Sequence, residues 1–189
     1  MSIEEDIRNA VEVLRKGGVI LYPTDTIWGI GCDATNEEAV KRVYQIKQRE
    51  DSKALICLVD SDNRLQRYVS DAPNVAWDLI EYATKPLTII FDNAKNLATN
   101  LIAEDGSVGM RVTHEEVSKQ ICYRFQKAIV STSANISGEP SPANFYEISD
   151  EIKSAVDYIV TARQKEKSKG VPSSIIKLGS DGEVKIIRN

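Results

Sequence analysis

The stretch Val19-Ile20-Leu21-Tyr22-Pro23-Thr24-Asp25-Thr26-Ile27-Trp28-Gly29-Ile30-Gly31-Cys32-Asp33-Ala34 organises the chain. Its first four residues are an apolar run that reads as a buried strand, and Pro23 ends it because proline cannot donate to a sheet ladder. Thr24, Asp25 and Thr26 then place three small oxygen-bearing side chains at the strand end, followed by Gly29 and Gly31. Polar groups beside residues that let backbone approach a ligand suit a small-molecule pocket. A polar turn with glycine punctuation reads equally well from this stretch alone.

Outward from that centre, helices and strands are mixed without strict alternation. Ser2 with Glu5 forms a capping box, and Ile3, Ile7, Ala10, Val11 and Leu14 make one stripe of a helix that Gly17-Gly18 stops. Asn36 caps a second helix that carries Lys47 near its end and Arg49 just beyond it. Residues 54–59 form an apolar strand-length run, and 71–82 read as a helix with Val75, Ala76, Leu79 and Ile80 inward. Strands are predicted at 87–91 and 107–112. A second capping box, Thr113 with Glu116, opens a helix with Val117, Ile121 and Phe125 inward. A short strand at 128–131 runs into Thr132-Ser133-Ala134-Asn135, a short helix lies near 149–155, and strands follow at 158–160, 174–178 and 184–187. The fold class is α/β, a mixed twisted sheet flanked by helices, in one domain over 1–189.

Composition narrows the chemistry. Across 189 residues, 42% are hydrophobic and 28% charged, as in an ordinary globular protein, and the formal net charge is −4. No global field therefore draws the chain to nucleic acid, although a local basic groove is compatible with that total. The acidic start, Met1-Ser2-Ile3-Glu4-Glu5-Asp6, is unlike a signal peptide, and no apolar run reaches membrane length, so the expected location is cytoplasmic. Cys32, Cys57 and Cys122 form no C-x-x-C pair, and His114 is the only histidine, which disfavours zinc sites and histidine-dependent triads.

Four features carry candidate chemistry. Lys47 and Arg49, with Lys53 after them, either answer the negative end of a helix dipole or clamp a polyphosphate. Ser131-Thr132-Ser133-Ala134-Asn135 is denser in hydroxyl and amide groups than a turn requires. Arg111 is either a solvated strand end or an inward anion contact. Lys165-Glu166-Lys167-Ser168-Lys169-Gly170 is a charged loop with room for a lid role. Neither G-x-x-x-x-G-K-[ST] nor G-x-G-x-x-G occurs.

Taken in order, these pieces resemble the YrdC/Sua5 family of threonylcarbamoyl-AMP synthases, which includes a YciO-like branch. The carriers are Tyr-Pro-Thr-Asp-Thr-Ile-Trp-Gly-Ile-Gly at 22–31, Lys47 and Arg49, Pro-Leu-Thr at 86–88 and Val-Gly-Met-Arg at 108–111. Ser-Thr-Ser-Ala-Asn-Ile-Ser-Gly at 131–138 and Gly-x-x-Ser at 170–173 complete them. The resemblance implies a concave ligand cleft in which L-threonine, bicarbonate and ATP give threonylcarbamoyl-adenylate and pyrophosphate, with Mg2+ sharing the phosphate charge. It assigns Lys47 and Arg49 as catalytic and phosphate-holding. Ser133, Asn135, Ser173 and Arg188 fall to the nucleotide, and Thr24, Asp25, Thr26, Arg111 and Ser131 to the substrate. It further implies downstream tRNA threonylcarbamoyl transferase proteins.

Departures from the family pattern are Thr84-Lys85 before Pro-Leu-Thr, Arg111-Val112-Thr113 in place of Arg-x-Pro, Leu58 in place of a histidine, Ser173-Ser174 in place of Ser-Thr, and Arg188-Asn189 at the close. Two alternatives belong to other classes. One is a tRNA- or double-stranded-RNA-binding module in which Lys47, Arg49, Lys53, Lys85 and Arg111 converge without chemistry. The other is a carbamoyl-adenylate-forming relative that uses carbamoyl phosphate.

Overall fold

The structure is a computed structural model that describes residues 1–49 and 55–189. In chain order the elements are α1 (Ile3–Arg15), β1 (Ile20–Tyr22), β2 (Gly29–Gly31), α2 (Glu37–Lys47), β3 (Ile56–Val59), α3 (Asp62–Leu65), α4 (Val75–Glu81) and β4 (Leu87–Phe91). Then come β5 (Val108–Val112), α5 (Glu116–Phe125), β6 (Ile129–Ser133), a 3-10 turn (Phe145–Glu147), α6 (Asp150–Ala155), β7 (Tyr158–Ile159), β8 (Ser174–Leu178) and β9 (Val184–Arg188). The strands of the described residues form one sheet in the order β7-β1-β2-β6-β3-β5-β4-β8-β9. The β1–β7, β3–β5 and β4–β8 pairs are parallel and the others antiparallel, so the sheet is mixed as expected.

Side-chain alternation divides the core into two layers. Ile20 and Tyr22, Leu58 and Ile129 pack with α1 and α5 through Ile7, Val11, Leu14, Ile121 and Phe125. Their neighbours Val19 and Leu21, Cys57 and Val59, and Val130 pack on the other face with Val40, Val43 and Tyr44 of α2. Strands buried on both faces read as unbroken apolar runs, which is why the sequence shows little alternation.

The first layer is incomplete. Gly29, Ile56, Thr88, Gly109, Arg111, Ser131 and Ile175 are each one residue from a side chain in the α2-side core, so they project to the face that α1 and α5 share. That stretch of the sheet is the floor of a cleft.

Several boundaries differ from the sequence expectation, each for a local reason. Residues 29–31, read as part of a loop, form β2, since their backbone pairs with β1 on one side and β6 on the other. The helix expected over 71–82 starts only at Val75, after a left-handed Asp71 (φ 56°) and Pro73. Thr113 does not cap α5. Glu115 does, accepting from the amides of Val117 and Ser118, while the Thr113 hydroxyl bonds that of Ser118 at 2.8 Å. The Ala54 start of the third strand and Lys53 lie outside the described residues.

Candidate functional site: a cationic cleft on the open sheet face

A cavity of about 520 Å³ lies over this floor, within the size range of small-molecule sites. Arg49, Arg111, Lys169 and Arg188 line it, and none of its described lining residues is a carboxylate. A chain of net charge −4 has therefore gathered positive charge at one place. Thr26, Ser131, Ser133 and Ser173 contribute hydroxyls, and Trp28, braced by the Phe145 ring at 4.9 Å, supplies an aromatic wall.

Arg111 is 3% exposed, so the inward alternative is the one realised. Its Nε donates to Asp25 Oδ1 at 3.0 Å, and its terminal nitrogens donate to Thr88 Oγ1 at 3.2 Å and Thr26 Oγ1 at 3.3 Å. Burial pushes the Asp25 carboxyl above its ordinary value, and the Arg111 charge pulls it part of the way back. The threonines can be followed proton by proton. Thr24 Oγ1 donates to the Ile27 carbonyl at 2.7 Å and accepts from the Thr26 amide at 3.1 Å. Its one proton being spent, Thr26 Oγ1 is the donor in the 3.0 Å bond between the two hydroxyls. Thr26 thus accepts from Arg111 and donates to Thr24, and the Thr-Asp-Thr turn acts as a cradle that aims one guanidinium.

The cradle continues across the floor. Thr88 Oγ1 and Ser173 Oγ lie 2.8 Å apart, and Arg188 donates to the Ser173 carbonyl at 3.0 and 2.8 Å. Arg188 is held by a neutral oxygen and keeps its charge for the cavity.

Lys47 and Arg49 part company. Gln48, the C-cap of α2, is left-handed (φ 51°), which turns the chain so that Arg49 faces the cavity. Lys47 does not line it. Lys47 is 2% exposed and its ammonium donates to the carbonyls of Ser133 at 2.6 Å and Asn135 at 2.8 Å, while its own carbonyl accepts from the Ser137 amide at 2.8 Å. Burial, with the nearby Arg49 charge, lowers its pKa from 10.5 to about 8. It clamps the 133–137 loop from behind.

Other expected residues are also displaced from the cavity wall. Asn135 turns its amide to the carbonyls of Ile136 and Glu139, bracing the same loop. Thr24 is buried behind Thr26, and Asp25 faces a second depression of about 350 Å³ that also holds Lys85 and His114. The described members of the proposed basic set do not converge on one exposed face, since Lys47 and Arg111 are buried and Lys85 lies in that second depression. Thr88, Trp28 and Lys169 were not singled out as site residues. Thr88 left a signal, a lone hydroxyl inside the apolar run Leu87-Thr88-Ile89-Ile90.

Among the described residues no group of acidic, histidine or cysteine side chains could cage a metal, and no helix is long and apolar enough to cross a membrane.

Comparison with known proteins gives concordant matches. The Sua5/YciO/YrdC family model, described as "Telomere recombination", covers residues 12–189. The threonylcarbamoyl-AMP synthase of Pseudoalteromonas translucida is 35% identical over 163 residues, which are 85% of this chain and 87% of that protein. P. abyssi Sua5, in a crystal structure complexed with L-threonine, matches with a TM-score of 0.84 at 26% identity over 94% of this chain and 52% of its own, so this chain spans about half of that protein. E. coli YciO matches with a TM-score of 0.84 at 26% identity, over 100% of this chain and 90% of its own.

Proposed function

The chain belongs to the Sua5/YciO/YrdC family, and on that footing we propose that it makes threonylcarbamoyl-adenylate from L-threonine, bicarbonate and ATP, releasing pyrophosphate. The observation that carries this reading is the convergence of Arg49, Arg111, Lys169 and Arg188 on a cavity whose described lining has no carboxylate. Such a lining suits a ligand with a dense negative charge and a carboxylate beside it. The curated relative named for the synthase and the Sua5 complex with L-threonine support the same reaction class, nucleotidyl transfer.

In this reading the threonine amine takes up the carbon of bicarbonate to form a carbamate, with the displaced oxygen leaving as water. A carbamate oxygen attacks the α-phosphorus of ATP, and the bond to the β-phosphate oxygen breaks with pyrophosphate leaving. No protein nucleophile is required, so the chain's work is to place reactants in line and neutralise charge. Arg111, rigid in its cradle, holds the threonine carboxylate. Arg49 and Arg188 answer the phosphates, and the Ser131 and Ser133 hydroxyls orient the adenylate. Mg2+ fits as part of the substrate: among the described residues the site offers hydroxyls and no acidic cage, which suits an ion carried in by phosphate oxygens and water. The product then passes to a separate transferase that acts on tRNA adenosine.

The test is pyrophosphate release from purified protein. Release that requires threonine, bicarbonate and MgATP together is the expected result. Release without threonine, or none from folded protein that binds nucleotide, would overturn the assignment.

A further inference from the structure

The segment between β7 and β8 contains the charged run Lys165-Glu166-Lys167-Ser168-Lys169-Gly170, and it is fastened at two points to the turn that cradles Arg111. At one end Arg163, itself left-handed (φ 62°), donates to the Thr24 carbonyl at 3.2 Å and pairs with Glu115 at 3.1 Å and Glu166 at 2.8 Å. At the other, Gly170 lies so close to Thr26 that a Cβ built on it would stand 1.9 Å from the Thr26 carbonyl oxygen, a contact only glycine permits. Between these fastenings residues 165–169 are exposed, and Lys169 lines the cavity.

Lys169 differs from the other cavity cations. Arg111 is buried and its charge is balanced by Asp25, and Arg188 is tied to the Ser173 carbonyl. Lys169 is exposed at the rim and makes no hydrogen bond or ion pair among the described residues. Glu166, the acidic residue of the run, is already occupied by Arg163, so it does not neutralise Lys169. A fixed backbone beside a free ammonium at a cavity mouth is a cation reserved for a ligand. The deep, neutralised guanidinium suits a single carboxylate, whereas uncompensated charge at the rim suits the most highly charged part of a ligand that enters and leaves there.

Resting on the nucleotide reading above, we propose that Lys169 binds the β- and γ-phosphates of ATP, and that Arg163 and Gly170 are positioning residues that set where it sits. The segment is then a fixed cap whose charge is spent on the group that departs as pyrophosphate.

The experiment compares equilibrium binding of MgATP and of AMP to wild-type and Lys169→Ala protein by calorimetry. Lys169→Ala is expected to weaken MgATP about tenfold while AMP changes less than about twofold, and the wild-type preference for MgATP should shrink as salt is raised. Lys169→Arg should retain most of the MgATP affinity, because it keeps the charge. Arg163→Ala, which leaves Lys169 present but its anchor loosened, should fall between the two. Equal losses for both nucleotides, or no loss for either, would overturn the proposal while leaving the nucleotide reading intact. Wild-type protein that binds neither nucleotide would overturn both.

Discussion

The ammonium of Lys47 lies 2.6 Å from the carbonyl oxygen of Ser133, a residue 86 positions away, and it makes this contact without lining the cavity. The cavity-lining hydroxyl of Ser133 therefore owes its placement to a lysine that does not itself reach the ligand space. Lys47→Met is expected to lower stability by about 2 kcal/mol, the scale of leaving buried acceptors unsatisfied, because the Ser133 and Asn135 carbonyls lose their donor, and to weaken nucleotide binding as the loop relaxes. Urea denaturation beside nucleotide titration checks both; unchanged stability would show that the clamp is idle.

The same lysine gives a pH signature. With a pKa of about 8 in the folded chain, Lys47 loses its charge as the pH rises through that value, so turnover should fall on the alkaline side with a midpoint near it. Stability moves the other way. Between about 8 and the unfolded value of 10.5 the unfolded chain holds a proton that the folded chain lacks, so this residue's contribution to stability rises with pH across that window. Activity falling while denaturation midpoints hold or rise would separate this titration from unfolding. A profile flat to pH 10 would contradict it.

Arg49 stands apart from its neighbour, since it lines the cavity. Arg49→Ala should cut adenylate formation by about a hundredfold, as expected when a charge that faces the transferring phosphoryl group is lost. Melting temperature should change little. Normal turnover in this variant would remove Arg49 from the reaction.

Asp25 and Arg111 form a nearly buried pair, with side chains 12% and 3% exposed. Asp25→Ala leaves a nearly buried guanidinium in the cleft floor without its counter-charge, and a loss of about 3 kcal/mol is expected. Asp25→Asn, which keeps an acceptor oxygen, should lose less. In the Asn variant threonine KM should rise more than ATP KM, because Arg111 is the group left free to rotate; the opposite order would put Arg111 on the nucleotide side.

The two glycines of the central stretch do different work. A Cβ at Gly31 would stand 2.6 Å from both the Tyr22 ring and the Val130 carbonyl oxygen, whereas Gly29 lines the cavity. Gly31→Ala should therefore destabilise by about 1–3 kcal/mol through overpacking. Nucleotide affinity measured on the folded fraction should stay at the wild-type value, and a loss of affinity without loss of stability would reverse the assignment.

The sequence by itself determined most of the elements and their order, though not β2, α3 or the 3-10 turn. Ser2 caps α1 and Asn36 caps α2, and Leu87–Phe91 and Ser174–Leu178 are strands, because capping and hydrophobic runs act between near neighbours. It also brought the right residue types to one neighbourhood, since strand ends and their loops gather wherever a sheet forms. Which of those residues face the cavity was decided only by tertiary structure. Lys47 and Arg49 are two apart in sequence, yet a left-handed Gln48 sends one beneath the Ser133 loop and the other into the cleft. Thr24 and Asp25 look like ligand contacts until their protons and charge are seen to be committed to Thr26, Ile27 and Arg111. Lys169 has no distinguishing mark in a run of lysines until Gly170 is found against Thr26. Local chemistry sets what a residue can bind, but which groups remain unspent depends on partners contributed by distant parts of the chain.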